Sequence, residues 1–593
     1  MNGHTPAAHW SAGLRPGVFP DPLNLTHTLN LNPPSGGEIK SKIKITIKNL
    51  AGFRAAFACF ACFAVQSSFA SDFTVLKPAA FAHHIERFNA MEPETITNFI
   101  PNAQSWSWLE KIIPFFECPD REVEEIYYFR WWSYRKHLVK TPDGFVITEF
   151  LTPVKHAGAY NTVSCAAGFH LAEGRWLRDQ TPLDDYTRFW LSGNNGKPQP
   201  HFHKFSSWFA AAAYDRHLVN GDKKFITSLL DDLVTDYRAW ETERQLPISP
   251  VAADVSPLHS NPSNPRTPGG LFWQHDVKDA MEESISGSRT EKNIRPTINS
   301  YMFGNAQAIA AIAQLANKPA LAQEFATKAA DLKRLTQDQL WDNEAKFFKV
   351  CGAPVSDPAS SFSTAREALG FIPWMFDLPD TTTDPTAAFS QITDSRGFSA
   401  PFGLTTAERR HPEFRNRGVG TCEWDGAIWP FATSQTLTAL ANFLHHDESS
   451  ATRNTQHATR AAYFTAFLTY TRSQHAHGKP FIGEYLDEVT GDWINRGNRS
   501  AYYNHSTYAD LLITGVIGLR PRADNTVEIS PLLPAGTWDW FALDGVNYHG
   551  HMLTVIWDKD GTRYGRGAGL RVLANGKQIT HSPVLERITG QLP

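Results

Sequence analysis

Between about residue 100 and residue 515 the chain is a succession of long segments in which apolar residues recur at i, i+3 and i+4, separated by breaks rich in Pro, Gly and Asp. The segments are 203–220, 224–245, 296–315, 319–340, 426–444 and 453–475. In 319–340, Leu321, Phe325, Ala329, Leu332, Leu335 and Leu340 share one face, and Lys328, Lys333 and Arg334 lie outside it. An apolar stripe must be covered by another element, so this spacing predicts a mainly α domain of helical hairpins. Ahead of the hairpins, 126–140 and 145–151, joined by Thr-Pro-Asp-Gly, have strand character and are expected to supply loops or a small sheet. Past 515 the texture changes to short alternating runs, 526–529, 540–543, 546–551 and 553–557, with Asp-Gly and Asn-Gly turns after them. That pattern predicts a small antiparallel β domain at the C-terminus. No short-period repeat of the solenoid kind is present.

A length of 593 residues implies two or three structural units. A formal charge of −4 with no basic stripe argues against a polyanion-binding role. Lys40, Lys42, Lys44, Lys48 and Arg54 precede the apolar run 55–65, and Ser68-Phe69-Ala70 offers a small-x-small cleavage site. The reading is a signal peptide at 49–70 and a periplasmic or extracellular protein, with an uncleaved anchor as the alternative. Residues 1–48, rich in Pro, Asn, His and Gly, read as disordered or as a misassigned start. Cys118, Cys165, Cys351 and Cys422 have no metal-binding spacing and leave room for one disulfide.

Acidic residues beside aromatic ones carry the chemistry. In Phe481-Ile482-Gly483-Glu484-Tyr485-Leu486-Asp487, Glu484 sits on a turn beside an aromatic, where a carboxylate could activate water against a sugar or be no more than a surface turn acid. From Trp273 to Glu283 four carboxylates, Asp276, Asp279, Glu282 and Glu283, fall in eight positions. Such crowding raises one carboxyl pKa, as a general acid requires, although a solvated acidic loop would look the same. Glu423-Trp424-Asp425-Gly426-Ala427-Ile428-Trp429 offers sugar-stacking faces, or Asp425 merely caps a helix. Arg130 with Trp131, and Trp176 with Asp179, mix polar and aromatic groups in the way of either a sugar site or a packed interior. No GxSxG, HExxH, P-loop or dinucleotide fingerprint appears, and His201-Phe202-His203 is a weak metal candidate, so neither metal nor cofactor is expected.

Several strings recur in one order over roughly residues 100–515: Asn299-Ser300-Tyr301-Met302-Phe303, Leu340-Trp341-Asp342, Pro401-Phe402-Gly403-Leu404, Trp424-x-Gly426-x-x-Trp429 and Glu484-Tyr485 with Thr490-Gly491. In this the chain resembles the (α/α)6-barrel glycoside hydrolases of the clan of trehalases, processing α-glucosidases and mannosylglycerate hydrolases. The resemblance implies an (α/α)6 six-hairpin toroid at 126–515, preceded by a connecting segment at 71–125 and followed by the β domain at 516–593. It implies a two-carboxylate hydrolase, most simply inverting, acting on terminal sugars of plant-type oligo- or polysaccharides. Glu484 stands at the clan's general-base position. The clan's acid is the Asp of a Glu-Ser-Gly-x-Asp motif, where this chain reads Lys278-Asp279-Ala280-Met281-Glu282; Asp279 is the first expectation for the acid and Glu282 the second. Trp131, Arg130, Trp176, Asp179, Trp273, Trp424, Asp425, Trp429 and Tyr485 are the expected substrate contacts. Tyr128-Phe129-Arg130-Trp131-Trp132, Ile147-Thr148-Glu149-Phe150 and Glu173-Gly174-Arg175-Trp176 are most similar to glycoside hydrolase family 142, the β-L-arabinofuranosidases of pectin breakdown. An α-glucosidase, α-mannosidase or trehalase activity is the alternative, and a polysaccharide lyase or a non-catalytic glycan-binding protein is the rival of another class.

Overall fold

Two rings of helices account for the periodicity in the computed structural model, which describes residues 73–247, 270–352, 361–380, 383–417, 422–447, 459–494 and 497–593. The segments read as 1–48 and as a signal peptide at 49–70, with its cleavage site after Ala70, lie outside the described residues, as do 453–458 of the last periodic segment. The inner ring consists of α4 (Ala167–Gly174), α6 (Phe209–Asn220), α9 (Pro296–Leu315), α11 (Ile372–Met375), α13 (Pro430–Asp447) and α15 (Ala509–Leu511). Each packs on the next, and α15 returns to α4, closing the ring. A π-helical turn, Leu512–Val516, prolongs α15. Outside lie α3 (Arg121–Lys136), α5 (Thr181–Ser192), α8 (Leu230–Arg244), α10 (Pro319–Leu340), α12 (Pro385–Ser390) and α14 (Arg460–Ser473). This is the (α/α)6 barrel.

Ring position explains the sequence of each helix. Helix α9 is buried from Pro296 to Ala306 on every side, because the axis, two inner neighbours and α10 all cover it, and accordingly it has no polar stripe. Helix α10 buries Phe325, Ala329 and Leu332 against α9 and turns its charges outward. Both helices span the residues that the periodicity marks. The strand reading of 126–140 is corrected: Arg121–Lys136 is helix α3, capped by Asp120, whose carboxylate accepts from the N–H groups of Glu122 at 3.0 Å and Val123 at 3.2 Å. Its run of Tyr, Phe and Trp is buried nearly all round, so composition mimicked a strand and no solvent face betrayed the helix. Only Leu138–Thr141 and Gly144–Ile147 form the hairpin over Pro142-Asp143.

Links from inner to outer helices are short, as at 316–318, whereas each inner helix is entered through a long loop. Alternation of direction around the rings brings the described residues of those loops, within 137–166, 193–208, 245–295, 341–371, 391–429 and 474–508, to one end of the barrel. The C-terminal sheet orders Phe115–Glu117, Trp540–Tyr548, His551–Asp558, Gly569–Ala574 and Lys577–Ser582, all antiparallel. Its first strand comes from the connecting segment, and Asp544 Oδ2 also accepts from the N–H groups of Val75 at 2.7 Å and Leu76 at 2.9 Å. One hydrophobic core runs from the barrel into this β region. No disulfide joins the four described cysteines, and among the described residues no helix is long and apolar enough to cross a membrane.

Candidate active site

Glu484 leaves the hairpin His475–Pro480 on a turn fixed by two hydrogen bonds of 3.0 Å exchanged between the backbones of Leu486 and Ile428. A Cβ at Gly483 would stand 2.7 Å from the Trp493 ring, so the approach that seats the turn requires glycine. Glu484 is 5 % exposed, and its Oε2 accepts from Arg499 Nη2 and Ser500 Oγ, both at 2.8 Å. These charge-assisted bonds hold one carboxylate oxygen and leave Oε1 without a donor among the described residues.

Glu282 lies on loop 245–295 between two residues in the left-handed region, Ala280 at φ 58° and Glu283 at φ 66°. Non-glycine residues sit there only when surrounding structure insists, which is typical of functional turns. Two buried carboxylates and a backbone bond do the insisting. Asp279, 1 % exposed, accepts from Arg295 Nε at 2.6 Å and Ser206 Oγ at 2.7 Å. Asp276 takes the Met281 N–H on its carbonyl at 3.1 Å, and Glu367 takes the Ser286 N–H at 3.3 Å. Glu282 itself is half-buried; burial, then the neighbouring Glu484 and Asp276 carboxylates, push its carboxyl up to about 7. The Glu282 carbonyl accepts from the Trp424 N–H at 3.4 Å. From Trp424 an aromatic stack continues to Trp429 at 4.8 Å and on to Tyr485 at 4.6 Å, with 11° between the last two planes. Aromatic packing thus links the Glu282 loop to the residue after Glu484.

A third carboxyl, Glu149, is buried behind the pair. Tyr503 donates to Oε1, His505 Nδ1 stands 3.5 Å from the same oxygen, and the His505 ring lies against Trp429 at 6.1 Å. Burial, then the Glu484 and Glu282 carboxylates, push Glu149 from its ordinary 4.5 up to about 8. Between those pH values the folded chain keeps a proton that the unfolded chain releases, so this group stabilises fully below about 4.5 and the contribution is lost as pH rises through about 8. Glu149→Gln removes the titration while keeping the shape. Its melting temperature is expected to fall less steeply between pH 5 and 8 than that of the unmodified protein, by calorimetry; equal slopes would contradict the origin assigned here.

The expected substrate contacts divide. Trp424, Trp429 and Tyr485 form the stack and are themselves buried, and Trp273 stands half-buried with Arg244 4.8 Å and Lys292 4.6 Å from its ring. Asp425 is sealed from solvent and braces its loop by accepting from the Arg417 N–H at 2.6 Å; it does not cap α13, which begins at Pro430. Arg130, Trp131 and Trp176 are interior. Arg130 donates to Tyr470, Gln474 and Ser506, Trp131 packs against Tyr127 and Tyr134, and Trp176 donates to Asp510 at 2.7 Å. None of them has a face left for a sugar. Asp179 is exposed in the link between α4 and α5, at the end opposite the long loops, and accepts from the Thr181 N–H at 3.0 Å. Sequence reasoning missed Glu149, although the string Ile147-Thr148-Glu149-Phe150 was conspicuous. Arg415, which gathers Glu423, Asp487 and Glu488 and so ties two of the long loops together, was missed as well.

Residues 159–506 match the model of the mannosylglycerate hydrolase MGH1-like glycoside hydrolase domain, and 519–581 that of the C-terminal domain of glycosyl hydrolase family 65. Among solved structures, one described as a sialidase is 48 % identical over 88 % of this chain, with a TM-score of 0.81; the match covers 45 % of that protein, so this chain spans less than half its length. A family GH63 mannosylglycerate hydrolase from Thermus thermophilus, solved with glucose, is 14 % identical with a TM-score of 0.45, covering 65 % of this chain and 98 % of its own. A family GH78 rhamnosidase of a Bacillus species is 12 % identical with a TM-score of 0.48, covering 78 % of this chain and 41 % of its own.

Proposed function

The chain belongs to the mannosylglycerate hydrolase MGH1-like glycoside hydrolases, and from that premise we propose an exo-acting, inverting enzyme in which Glu282 is the general acid and Glu484 the general base. The observation that carries the assignment is the difference between the two carboxyls. Glu282 has its carboxyl pushed to about 7 and so still holds a proton near neutrality, whereas Glu484 is ion-paired to Arg499 with one oxygen left over. In the reaction Glu282 delivers its proton to the glycosidic oxygen as the bond to the anomeric carbon breaks, and the leaving sugar departs as an alcohol. Glu484 takes a proton from a water whose oxygen attacks the anomeric carbon from the opposite face, so the configuration inverts. Both carboxyls are restored when Glu484 returns its proton to solvent and Glu282 regains one.

Asp279 is the weaker candidate for the acid. Its two oxygens are taken by Arg295 and Ser206, and it is closed to solvent. We further propose terminal sugars of plant-type oligo- or polysaccharides as substrates, with a β-L-arabinofuranosidase as the first reading and an α-glucosidase or α-mannosidase as the second, and secretion as the route by which the enzyme meets them. Proton NMR on β-L-arabinofuranosides, α-glucosides, α-mannosides and pectic side chains, read before mutarotation, tests sugar and stereochemistry together. Inverted arabinose is expected. A product of retained configuration would overturn the mechanism, and glucose or mannose the substrate.

A further inference from the structure

Arginines on the long loops mostly have carboxylate partners: Arg295 has Asp279, Arg289 has Glu283, Arg366 has Glu408, Arg415 has Glu423, Arg417 has Glu413 and Arg499 has Glu484. A group on one side of the mouth departs from this pattern. Lys204 donates only to the His156 carbonyl, at 2.7 Å. The Lys278 ammonium has no hydrogen-bond partner among the described residues and stands 6.0 Å from the Phe205 ring, and burial together with Lys204 and Arg244 lowers it from the usual lysine range. Arg244 lies 4.8 Å over the Trp273 ring with Nε buried and without a hydrogen-bond partner, its Nη1 bound only to the Glu243 carbonyl. All three are half-buried, and no carboxylate lies within ion-pair distance of any of them among the described residues.

Half-buried cations that repel one another raise the free energy of the folded protein, and among the described residues no carboxylate pairs with them to offset it. The group is joined to the reaction centre. His156, whose carbonyl holds Lys204, feels the charges of Lys204, Arg499 and Glu484 together, and Arg499 is the partner of Glu484. Lys278 also precedes Glu282 by four residues on the same loop, and its carbonyl accepts from the Ser206 N–H at 2.8 Å, which sets it beside the segment that carries Lys204 and Phe205. The rings of Phe205 and Trp273 lie beneath Lys278 and Arg244 and restrict where those side chains can point.

We propose that Lys204, Lys278 and Arg244 form a subsite for an acidic sugar, with the uncleaved part of the substrate bearing a carboxylate that these cations bind while its terminal sugar lies between Glu282 and Glu484. A carboxylate can take two parallel N–H bonds from Arg244 and a point charge from each lysine. The inference rests on the assignment of the catalytic pair, but binding can be read without turnover. In the Glu484→Gln enzyme, calorimetric titration with trigalacturonate and with its carboxyl-reduced form is expected to show a preference of tenfold or more for the acidic one. That preference is expected to shrink between 50 and 500 mM salt. It is expected to vanish in the Lys204→Gln/Lys278→Gln variant, which keeps the affinity for the reduced form. The single change Arg244→Glu serves as a second variant should the double one fold poorly. Equal affinity for the two forms, or a preference untouched by either variant, overturns the proposal. Tight binding of a sulfated trisaccharide with no response to trigalacturonate also overturns it, in favour of a sulfate site. Loss of all hydrolysis in the intact enzyme, with the binding preference present, would instead sink the catalytic reading and leave the subsite standing.

Discussion

Glu484→Gln is expected to lower kcat by on the order of 10³-fold while leaving substrate affinity within a few-fold of the original, because general-base assistance contributes roughly 10²–10⁴ to such reactions and an amide cannot take a proton from water. The substitution is close to isosteric. Its carbonyl oxygen can still accept from Arg499 and Ser500, which stand 2.8 Å from Oε2, so the turn between Gly483 and Leu486 should hold. The ion pair with Arg499 is lost, however, and Arg499 is only half-buried, so the cost to stability is small. A useful control follows from the chemistry. Azide or formate supplied in solution can replace the missing function, and in an inverting enzyme azide would give a glycosyl azide of inverted configuration. Turnover at the original rate would remove Glu484 from the reaction, and collapse of binding together with kcat would make it a structural residue.

The helical hairpins were legible because their stripes answer to packing that is local in sequence: α9 and α10 lie where the 3.6-residue period puts them. Helix α3 was not, since the same burial that makes it stable deprives it of a polar face. The site divides in the same way. Glu484, Trp424, Trp429 and Tyr485 stand out as acids and aromatics adjacent in sequence, and the structure stacks those rings together. Arg130, Trp131 and Trp176 carry the same local signal and are interior, because an arginine whose donors meet Tyr470, Gln474 and Ser506 is as common inside a barrel as in a sugar site. Glu149 is the opposite case. Its string is conspicuous only as a family likeness, and its raised pKa comes from burial and then from the Glu484 and Glu282 carboxylates, which arrive from distant loops.

Asp279 was the first expectation for the acid and Glu282 the second, although Glu282 is the fifth residue of Lys278-Asp279-Ala280-Met281-Glu282 as Asp is the fifth of Glu-Ser-Gly-x-Asp. Ala280 occupies the glycine position and adopts φ 58°, the conformation that glycine takes most easily. The two acids should therefore fail differently. Glu282→Gln is expected to fold normally and to lower kcat/KM by roughly 10²–10⁴ on alkyl glycosides, whose leaving group needs a proton, but far less on an activated aryl glycoside, whose leaving group does not. In the unmodified enzyme kcat/KM should decline above about pH 7, where Glu282 gives up its proton, and this alkaline limb should be missing from the variant assayed on the aryl substrate. Asp279→Asn should act on the fold, because it strands the Arg295 guanidinium, which is wholly buried, without its counter-charge. Breaking such a pair costs about 3–5 kcal/mol, so the melting temperature should drop by several degrees and the loop carrying Glu282 should loosen with it. The decisive comparison is Asp279→Asn on the activated substrate. If Asp279 is a brace, activity falls equally on alkyl and aryl glycosides; if it is the acid, the aryl glycoside is spared and the stability loss does not track the kinetics.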